Sequence, residues 1–223
     1  MKQMLRSSHD LVKLIHKFGF LPLFQNEIPG FSVEEHTPPE LWFAEEVEGP
    51  WEWKGPAIIE SGCAYGKFFK GKAVFITGEW YQDFANYRRD GYDFDARYDD
   101  GLAAYQDKLV YEILAEHDSL LSKELKKLGN FCKGGRKGFD TIITRLQMQG
   151  YVTTTNFEYQ KDKFGNTYGW GVARYATPER HFGPQFRETL YNRTPQESKE
   201  RILQHLSHLF PKAEEEQLLK IIG

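Results

Sequence analysis

The chain has few cysteines and no long run of apolar residues. Cys63 and Cys132 are the 2 cysteines among 223 residues, and neither lies at a spacing typical of metal ligands, so we expect reduced thiols. No stretch reaches the roughly 18 apolar residues that a membrane helix needs. The segment Met1–Arg6 lacks the apolar core of a signal peptide. We therefore expect a cytoplasmic protein with no membrane partner.

The motifs of common enzyme and cofactor classes are also missing. The chain has no P-loop, no G-x-G-x-x-G, no G-x-S-x-G and no H-E-x-x-H. Its 7 histidines do not form a set of metal ligands. Since 40% of the residues are hydrophobic and 15% are aromatic, we expect a folded globular protein. We expect it to hold neither a metal nor a cofactor.

Residues 106–176 follow the order helix, helix, helix and hairpin. The apolar spacing predicts helices over 106–117, over 119–128 and from after Lys137 to Gly150, then strands over 151–160 and 168–175. Asp118 is the predicted cap of the second helix, and Gly129 is its predicted end. This order of elements is typical of a winged helix-turn-helix, in which the third helix recognises DNA.

The third helix has two different faces when its residues are placed at about 100° intervals. Phe139, Ile142, Ile143 and Leu146 share one apolar stripe, which we expect to pack on the first two helices. The opposite side offers hydroxyl, guanidinium, ammonium and thioether groups, which suit the edges and backbone of a duplex groove. An ordinary solvated helix face is the alternative interpretation.

Charge distribution supports a nucleic-acid surface in this region. Residues 133–180 contain 8 basic and 4 acidic side chains, a formal +4 in a chain whose net charge is −3. The hairpin loop carries lysines that would lie along a phosphate backbone. The side chains that we predict to contact double-stranded DNA are Lys133, Arg136, Lys137, Thr141, Thr144, Arg145, Met148, Lys161 and Lys163.

The first hundred residues are predicted to form an α+β region. Helices are expected over 8–18, from Pro38 to about Glu46 and over 79–89, with a second hairpin over 64–77. Two prolines bracket two tryptophans in residues 50–56, which either form a rigid aromatic corner or pack in the core. Arg88 and Arg89 either grip a phosphate or pair with the aspartates that follow them.

Residues 27–60 are acidic and rich in aromatic side chains. Nine glutamates stand there against Lys54 alone, so this segment faces solvent, a basic partner or the basic module of its own chain. Core packing is one interpretation of the aromatic residues. The other is a pocket for an extruded base, formed by Trp51, Trp53, Tyr65, Trp80 and Tyr92.

The fold class that follows is α+β and mainly helical. We expect an aromatic-rich and acidic N-terminal α+β region over 1–104, a winged helix-turn-helix over 105–180 and a C-terminal helical hairpin over 181–223. Thr194 caps the first C-terminal helix, with Pro195 at its first position, and Pro211 begins the second. These two helices are expected to cover the core or to form a homodimer contact.

Several short segments resemble a known family. They are Ala64–Phe68, Tyr87–Tyr92, Leu146–Gln149, Tyr168–Gly171 and Tyr175–Glu179. Together they look like the small bacterial AlkZ-related proteins, which are short relatives of the AlkZ and YcaQ winged-helix DNA glycosylases. Those glycosylases excise alkylated bases or unhook interstrand crosslinks, so the resemblance implies a winged helix and a link to DNA repair.

The chain departs from those glycosylases in two respects. They carry a Gln-x-Gln or Gln-x-Asp catalytic motif near the N-terminus, and no such triplet occurs in the first 130 residues here. Gln147-Met148-Gln149 is the chain's Gln-x-Gln triplet, and it lies at the end of the predicted recognition helix. The chain also has no segment that resembles a C-terminal β-barrel domain. No catalytic residue is therefore assigned.

Three functions are consistent with these patterns. The first is a winged-helix DNA-binding protein linked to damaged DNA. The second is a minimal glycosylase that flips a base into an aromatic pocket and uses Glu52, Glu60 or Glu79 to activate water. The third is a protein-interaction module, which predicts that the chain's own N-terminal region covers the polar face of the third helix.

Overall fold

The computed structural model describes residues 4–43, 47–161, 163–165 and 167–223, with the side chains of residues 161, 167 and 168 excepted. The first half contains α1 (Ser8–Phe18), β1 (Phe20–Pro22), two 3₁₀ turns (Glu34–His36 and Pro39–Leu41), α2 (Pro50–Ser61), β2 (Ala64–Phe69), β3 (Lys72–Ile76), α3 (Gly78–Arg89) and α4 (Phe94–Asp99). The predicted helices α1 and α3 and the predicted hairpin over 64–77, which is β2–β3, are confirmed.

The second half contains α5 (Tyr105–Ala115), β4 (Leu120–Leu121), α6 (Ser122–Leu128), α7 (Phe139–Met148), β5 (Thr153–Lys161), β6 (Thr167–Ala176), α8 (Pro178–Phe182), α9 (Pro184–Thr189), α10 (Pro195–Leu209) and α11 (Glu215–Ile222). Within the described residues, no helix is long and apolar enough to cross a membrane. Cys63 and Cys132 are both free thiols.

One antiparallel sheet runs through both halves of the chain. Among the described residues it has six strands in the order β1-β3-β2-β5-β6-β4. Strands β2 and β5 join the halves, with Tyr65 opposite Thr154. The backbone N–H of Tyr65 also donates to the hydroxyl of Thr153 at 3.2 Å. The α+β fold class is therefore confirmed.

Among the described residues, the buried apolar side chains form two clusters. The first contains residues of α1, α2, β1 to β3 and α3, together with Phe186 of α9 and apolar residues of α10 and α11. The second contains residues from Phe94 to Val152. Ile202, Leu206 and Leu218 are buried within the chain itself, so the C-terminal helices use their apolar stripes to cover the first cluster. The homodimer contact through these helices stays a prediction.

Several predicted boundaries and corners were wrong. Residues 50–56 do not form an aromatic corner but begin α2, because Pro50 needs no N–H at the first position and the Glu52 carboxylate accepts the N–H of Gly49 at 2.9 Å. Pro56 lies inside this helix without ending it. The helix expected from Pro38 is a single 3₁₀ turn, Pro39–Leu41, and residues 44–46 lie outside the described ranges.

The start of the second helix in the triplet also differs from the prediction. Leu120 and Leu121 form β4, and α6 begins only at Ser122. The Glu124 carboxylate accepts the Leu121 N–H at 2.7 Å. Asp118 does not cap this helix and lies 3.5 Å from Arg180. Thr194 caps α10 as predicted, and Glu197 in turn accepts the Thr194 N–H at 2.8 Å. The last helix begins at Glu215 and not at Pro211.

Candidate nucleic-acid interface

Helices α5, α6 and α7 are followed directly by the β5–β6 hairpin, and β4 pairs with β6. Leu120 lies opposite Tyr175 and Leu121 opposite Arg174. The predicted apolar stripe of α7 is buried: Phe139, Ile142, Ile143 and Leu146 belong to the second core cluster. Burial of that stripe leaves the other side of α7 directed away from the core.

The segment before α7 is a tight basic loop. Lys133, Arg136 and Lys137 are all exposed. The loop closes on itself through the Arg136 N–H, which donates to the Asn130 carbonyl at 2.6 Å. A Cβ on Gly135 would lie 2.2 Å from that same oxygen, so this close approach requires glycine. The backbone thus holds the three basic side chains near the start of α7.

The outward face of α7 is partly open to solvent. Thr141 is exposed, whereas Thr144 and Met148 are half-buried. The Thr144 hydroxyl donates to the Asp140 carbonyl of its own helix at 2.8 Å. On one side of this face, the Arg136 guanidinium lies 5.7 Å from the centre of the Tyr105 ring of α5. We call the residues 133, 136, 137, 141, 144 and 148 the α7 face.

Arg145 is not free on the α7 face, because it pairs with a buried carboxylate of α5. Its Nε donates to Asp107 Oδ2 at 2.9 Å and its Nη2 to Oδ1 at 2.5 Å. Asp107 is only 1% exposed, and these hydrogen bonds raise the pKa of Arg145. The predicted approach of Arg145 to DNA bases would require it to leave this pair.

The C-terminal end of α7 is fastened to the N-terminal half of the protein. Gln147 is buried, and its Oε1 accepts the Lys67 N–H of β2 at 3.0 Å. Its Nε2 donates to the Thr154 hydroxyl at 3.2 Å. Arg88 of α3 donates to the Met148 carbonyl at 2.8 Å. Gln147 therefore has a structural position, consistent with its not being assigned catalysis.

Arg89 occupies the junction between the two core clusters. It is 2% exposed, donates from Nη1 to Glu179 at 2.7 Å and from Nη2 to the Gly150 carbonyl at 2.8 Å. Its guanidinium also lies 4.5 Å from the centre of the Tyr151 ring. Both arginines donate to carbonyls, and Arg89 also donates to Glu179. Within the described residues neither forms an ion pair with the aspartates that follow, so that alternative is wrong. Phosphate binding by the half-buried Arg88 stays a prediction.

A second hairpin turn lies beside α7, and its position was not visible in the sequence. Lys70 and Gly71 both have positive φ, 49° and 75°, in the two-residue turn between β2 and β3. A Cβ on Gly71 would lie 3.7 Å from Thr144 Cγ2. Lys67, Lys70 and Lys72 around this turn are exposed. The alternating sequence pattern predicted the turn. It could not predict that the turn lies against a helix about seventy residues further along the chain.

The turn also borders an apolar cavity. A cavity of about 390 Å³ is lined by apolar side chains that include Phe24, Phe69 and Val74, with Lys70 and Lys72 at its edge. Lys220 also lines the cavity and is paired with Glu27. Lys70 and Lys72 therefore belong both to the lining of this cavity and to the turn that approaches Thr144.

At the tip of the β5–β6 hairpin, Lys163 is exposed and its Nζ lies 4.9 Å from the Phe164 ring centre. The side chain of Lys161 lies outside the described part of the structure. Trp170 of β6 is 73% exposed and contacts the Trp51 ring edge-on at 6.1 Å. Helix α2 thus supports one side of the hairpin.

The five aromatic residues predicted to form a base pocket lie in different surroundings. Trp53 and Tyr65 belong to the filled first core cluster. Trp80 stacks on His205 at 4.1 Å, and Tyr92 is half-buried, its carbonyl accepting the Tyr151 hydroxyl at 3.0 Å. Among the described residues, no ring contact joins any two of the five.

Two of the three carboxylates proposed to activate water, Glu52 and Glu60, already have partners within the chain. Glu52 accepts the Gly49 N–H at the start of α2, and Glu60 pairs with His9 at 2.6 Å. Glu79 is exposed on α3. No group of three metal-ligating side chains is found in the described residues.

Comparison with known proteins identifies the family. A family model described as "AlkZ related" matches residues 5–223. The chain belongs to the AlkZ-related family. No curated protein and no solved structure matches the chain. Family membership suggests a link to DNA-repair glycosylases.

Proposed function

We propose that this AlkZ-related protein is a winged-helix protein that binds double-stranded DNA and acts in the recognition or repair of damaged, alkylated DNA. The order α5, β4, α6, α7, β5, β6, with β4 paired to β6, supports a winged helix-turn-helix. In that assignment α7 is the recognition helix and the β5–β6 hairpin is the wing.

The observation that carries the proposal is the unpaired charge at the start of α7. Lys133, Arg136 and Lys137 are exposed, and in the described part of the chain none of them is in an ion pair. Phosphate oxygens are the partners that such a cluster suits best, because neutralising them releases counterions. Thr141, Thr144 and Met148 would then approach the base edges, and Lys163 of the wing would contact the backbone.

A protein-interaction module has less support. It predicts that the N-terminal region covers the polar side of α7. The β2–β3 turn does approach Thr144, but Lys137 and Thr141 are exposed. The glycosylase alternative depends on an aromatic pocket, and Trp53 and Tyr65 pack inside the core. The link to damaged DNA rests on family membership.

The test is fluorescence anisotropy with plain, abasic and alkylated duplexes across a salt series. We expect binding that weakens steeply with salt, and a Lys133→Glu/Lys137→Glu variant that binds far more weakly at an unchanged Tm. The control is Lys17→Glu/Lys212→Glu, which makes the same change of charge at two exposed lysines far from α7 in sequence. Equal losses in both variants, or no binding by the natural protein at low salt, would refute the proposal.

A preference for the abasic or alkylated duplex would support the repair role specifically. Equal affinity for all three duplexes would leave DNA binding in place and remove the damage-recognition part of the proposal.

A further inference from the structure

We propose that the β2–β3 turn is a second phosphate-binding element, with Lys67, Lys70 and Lys72 contacting the DNA strand on the side of α7 away from α5. This inference rests on the proposed DNA binding by the α7 face. It adds an N-terminal element, distant in sequence, to the surface that a winged helix alone would supply.

The turn is held firmly against α7. The Lys67 N–H donates to Gln147 Oε1 at 3.0 Å, and Gly71 packs toward Thr144 of the α7 face. Phe69 pairs with Lys72, so only Lys70 and Gly71 form the loop. A two-residue loop with positive φ at both positions is a rigid connection. The lysines therefore have a defined position relative to the recognition helix.

Local structure does not account for a lysine in this turn. Lys70 has a φ of 49°, a conformation that asparagine and glycine adopt at lower cost than lysine. In the described residues, no carboxylate forms an ion pair with Lys67, Lys70 or Lys72. The charge of these side chains is thus left for a partner outside the chain.

Cations consequently stand on both sides of the α7 face. Arg136 lies on the α5 side, over Tyr105, and the turn lysines lie on the Thr144 side. A helix in the major groove has a phosphate strand on each side, in a groove about 12 Å wide. Cations on both sides of α7 fit that arrangement better than they fit a single anionic ligand.

The experiment compares Lys70→Asn/Lys72→Gln with the natural protein on one plain duplex across a salt series. Asparagine suits the left-handed backbone of the turn, so we expect the Tm to be kept. Each phosphate contact removed should reduce the slope of log K against log salt by about 0.9, so the double variant should reduce it by about 1.8. The affinity should fall equally for plain and damaged duplexes. Hydroxyl-radical footprinting should show weaker protection on one strand only.

The two proposals fail in different ways. If Lys133→Glu/Lys137→Glu weakens binding but the turn variant keeps the natural slope and footprint, the turn proposal is wrong and DNA binding stands. If the natural protein does not bind duplex, both are wrong.

A mononucleotide has the same phosphate chemistry and could enter the adjoining cavity, but it should not compete with duplex. Competition by a mononucleotide that the turn variant abolishes would overturn the assignment of duplex DNA as the ligand. If Lys72→Gln lowers the Tm, the single Lys70→Asn variant decides.

Discussion

Two basic regions of this protein differ in what their charges contact. Arg88 and Arg89 donate to main-chain carbonyls and to Glu179 at the junction of the two core clusters. The cations before α7 and at the β2–β3 turn contact no carboxylate of the described chain. A buried guanidinium organises the fold because its five donors can satisfy several acceptors at once. An exposed, unpaired cluster is instead available to a ligand.

The strongest test of this comparison is Arg89→Ala. Its removal leaves Glu179 and the Gly150 carbonyl without their donors in a largely buried site. Breaking such a pair costs about 3–5 kcal/mol, so the free energy of unfolding in urea should fall by that amount. Arg187→Ala, an exposed arginine on α9, is the control and should cost under about 0.5 kcal/mol.

Arg89→Lys sharpens the same test, because it keeps the charge and loses the forked geometry. We expect an intermediate loss of stability. A stable Arg89→Ala protein that no longer binds DNA would contradict the comparison and return Arg89 to the phosphate-binding residues.

The contrast also shows which parts of the molecule could be predicted from the sequence. The helices α1, α3, α7 and α10 and both hairpins have local signals: apolar spacing, a capping residue or a Lys-Gly turn. The apolar stripe of α7 was predicted correctly for the same reason. These features depend on neighbours in the sequence.

Pairings between distant residues had no such signal. The Arg145–Asp107 pair spans 38 positions and the Lys67–Gln147 contact spans 80. No sequence pattern therefore indicated that Arg145 has an acidic partner or that the turn lysines lie near α7. The aromatic residues of the N-terminal region have one composition whether they fill a core or line a pocket. Only the packing of Trp53 and Tyr65 shows that they fill the core.

The Gln-x-Gln triplet provides the second test, with a smaller expected effect. Gln147→Leu leaves the Lys67 N–H and the Thr154 hydroxyl without a partner inside the protein, which should cost about 1–3 kcal/mol. Gln149 is the matched control, because its Oε1 is buried and accepts no hydrogen bond from the described residues. Gln149→Leu should therefore cost less than Gln147→Leu in the same urea titration.

The outcome also bears on chemistry. If Gln147→Leu kept its stability but abolished release of alkylated bases from DNA, the triplet would have a catalytic role that its buried hydrogen bonds do not suggest.

His181 gives the smallest effect and extends the comparison to a half-buried base that has no ion pair with a carboxylate of the described residues. Its Nε2 lies 3.0 Å from the Cys63 carbonyl, and burial lowers its pKa. Below about pH 6.5, the unfolded chain takes up a proton on this histidine that the folded chain does not yet bind. The free energy of unfolding should therefore fall as the pH drops from 6.5 toward the lowered pKa of the folded state, by about 1.4 kcal/mol for each pH unit between the two pKa values.

His181→Gln should remove that part of the pH dependence. His208→Gln, at an exposed position of α10, should leave it. The free energy of unfolding, measured from pH 7.5 to pH 5 for the three proteins, checks this, and parallel curves for all three would show that the His181 site does not discriminate against the proton.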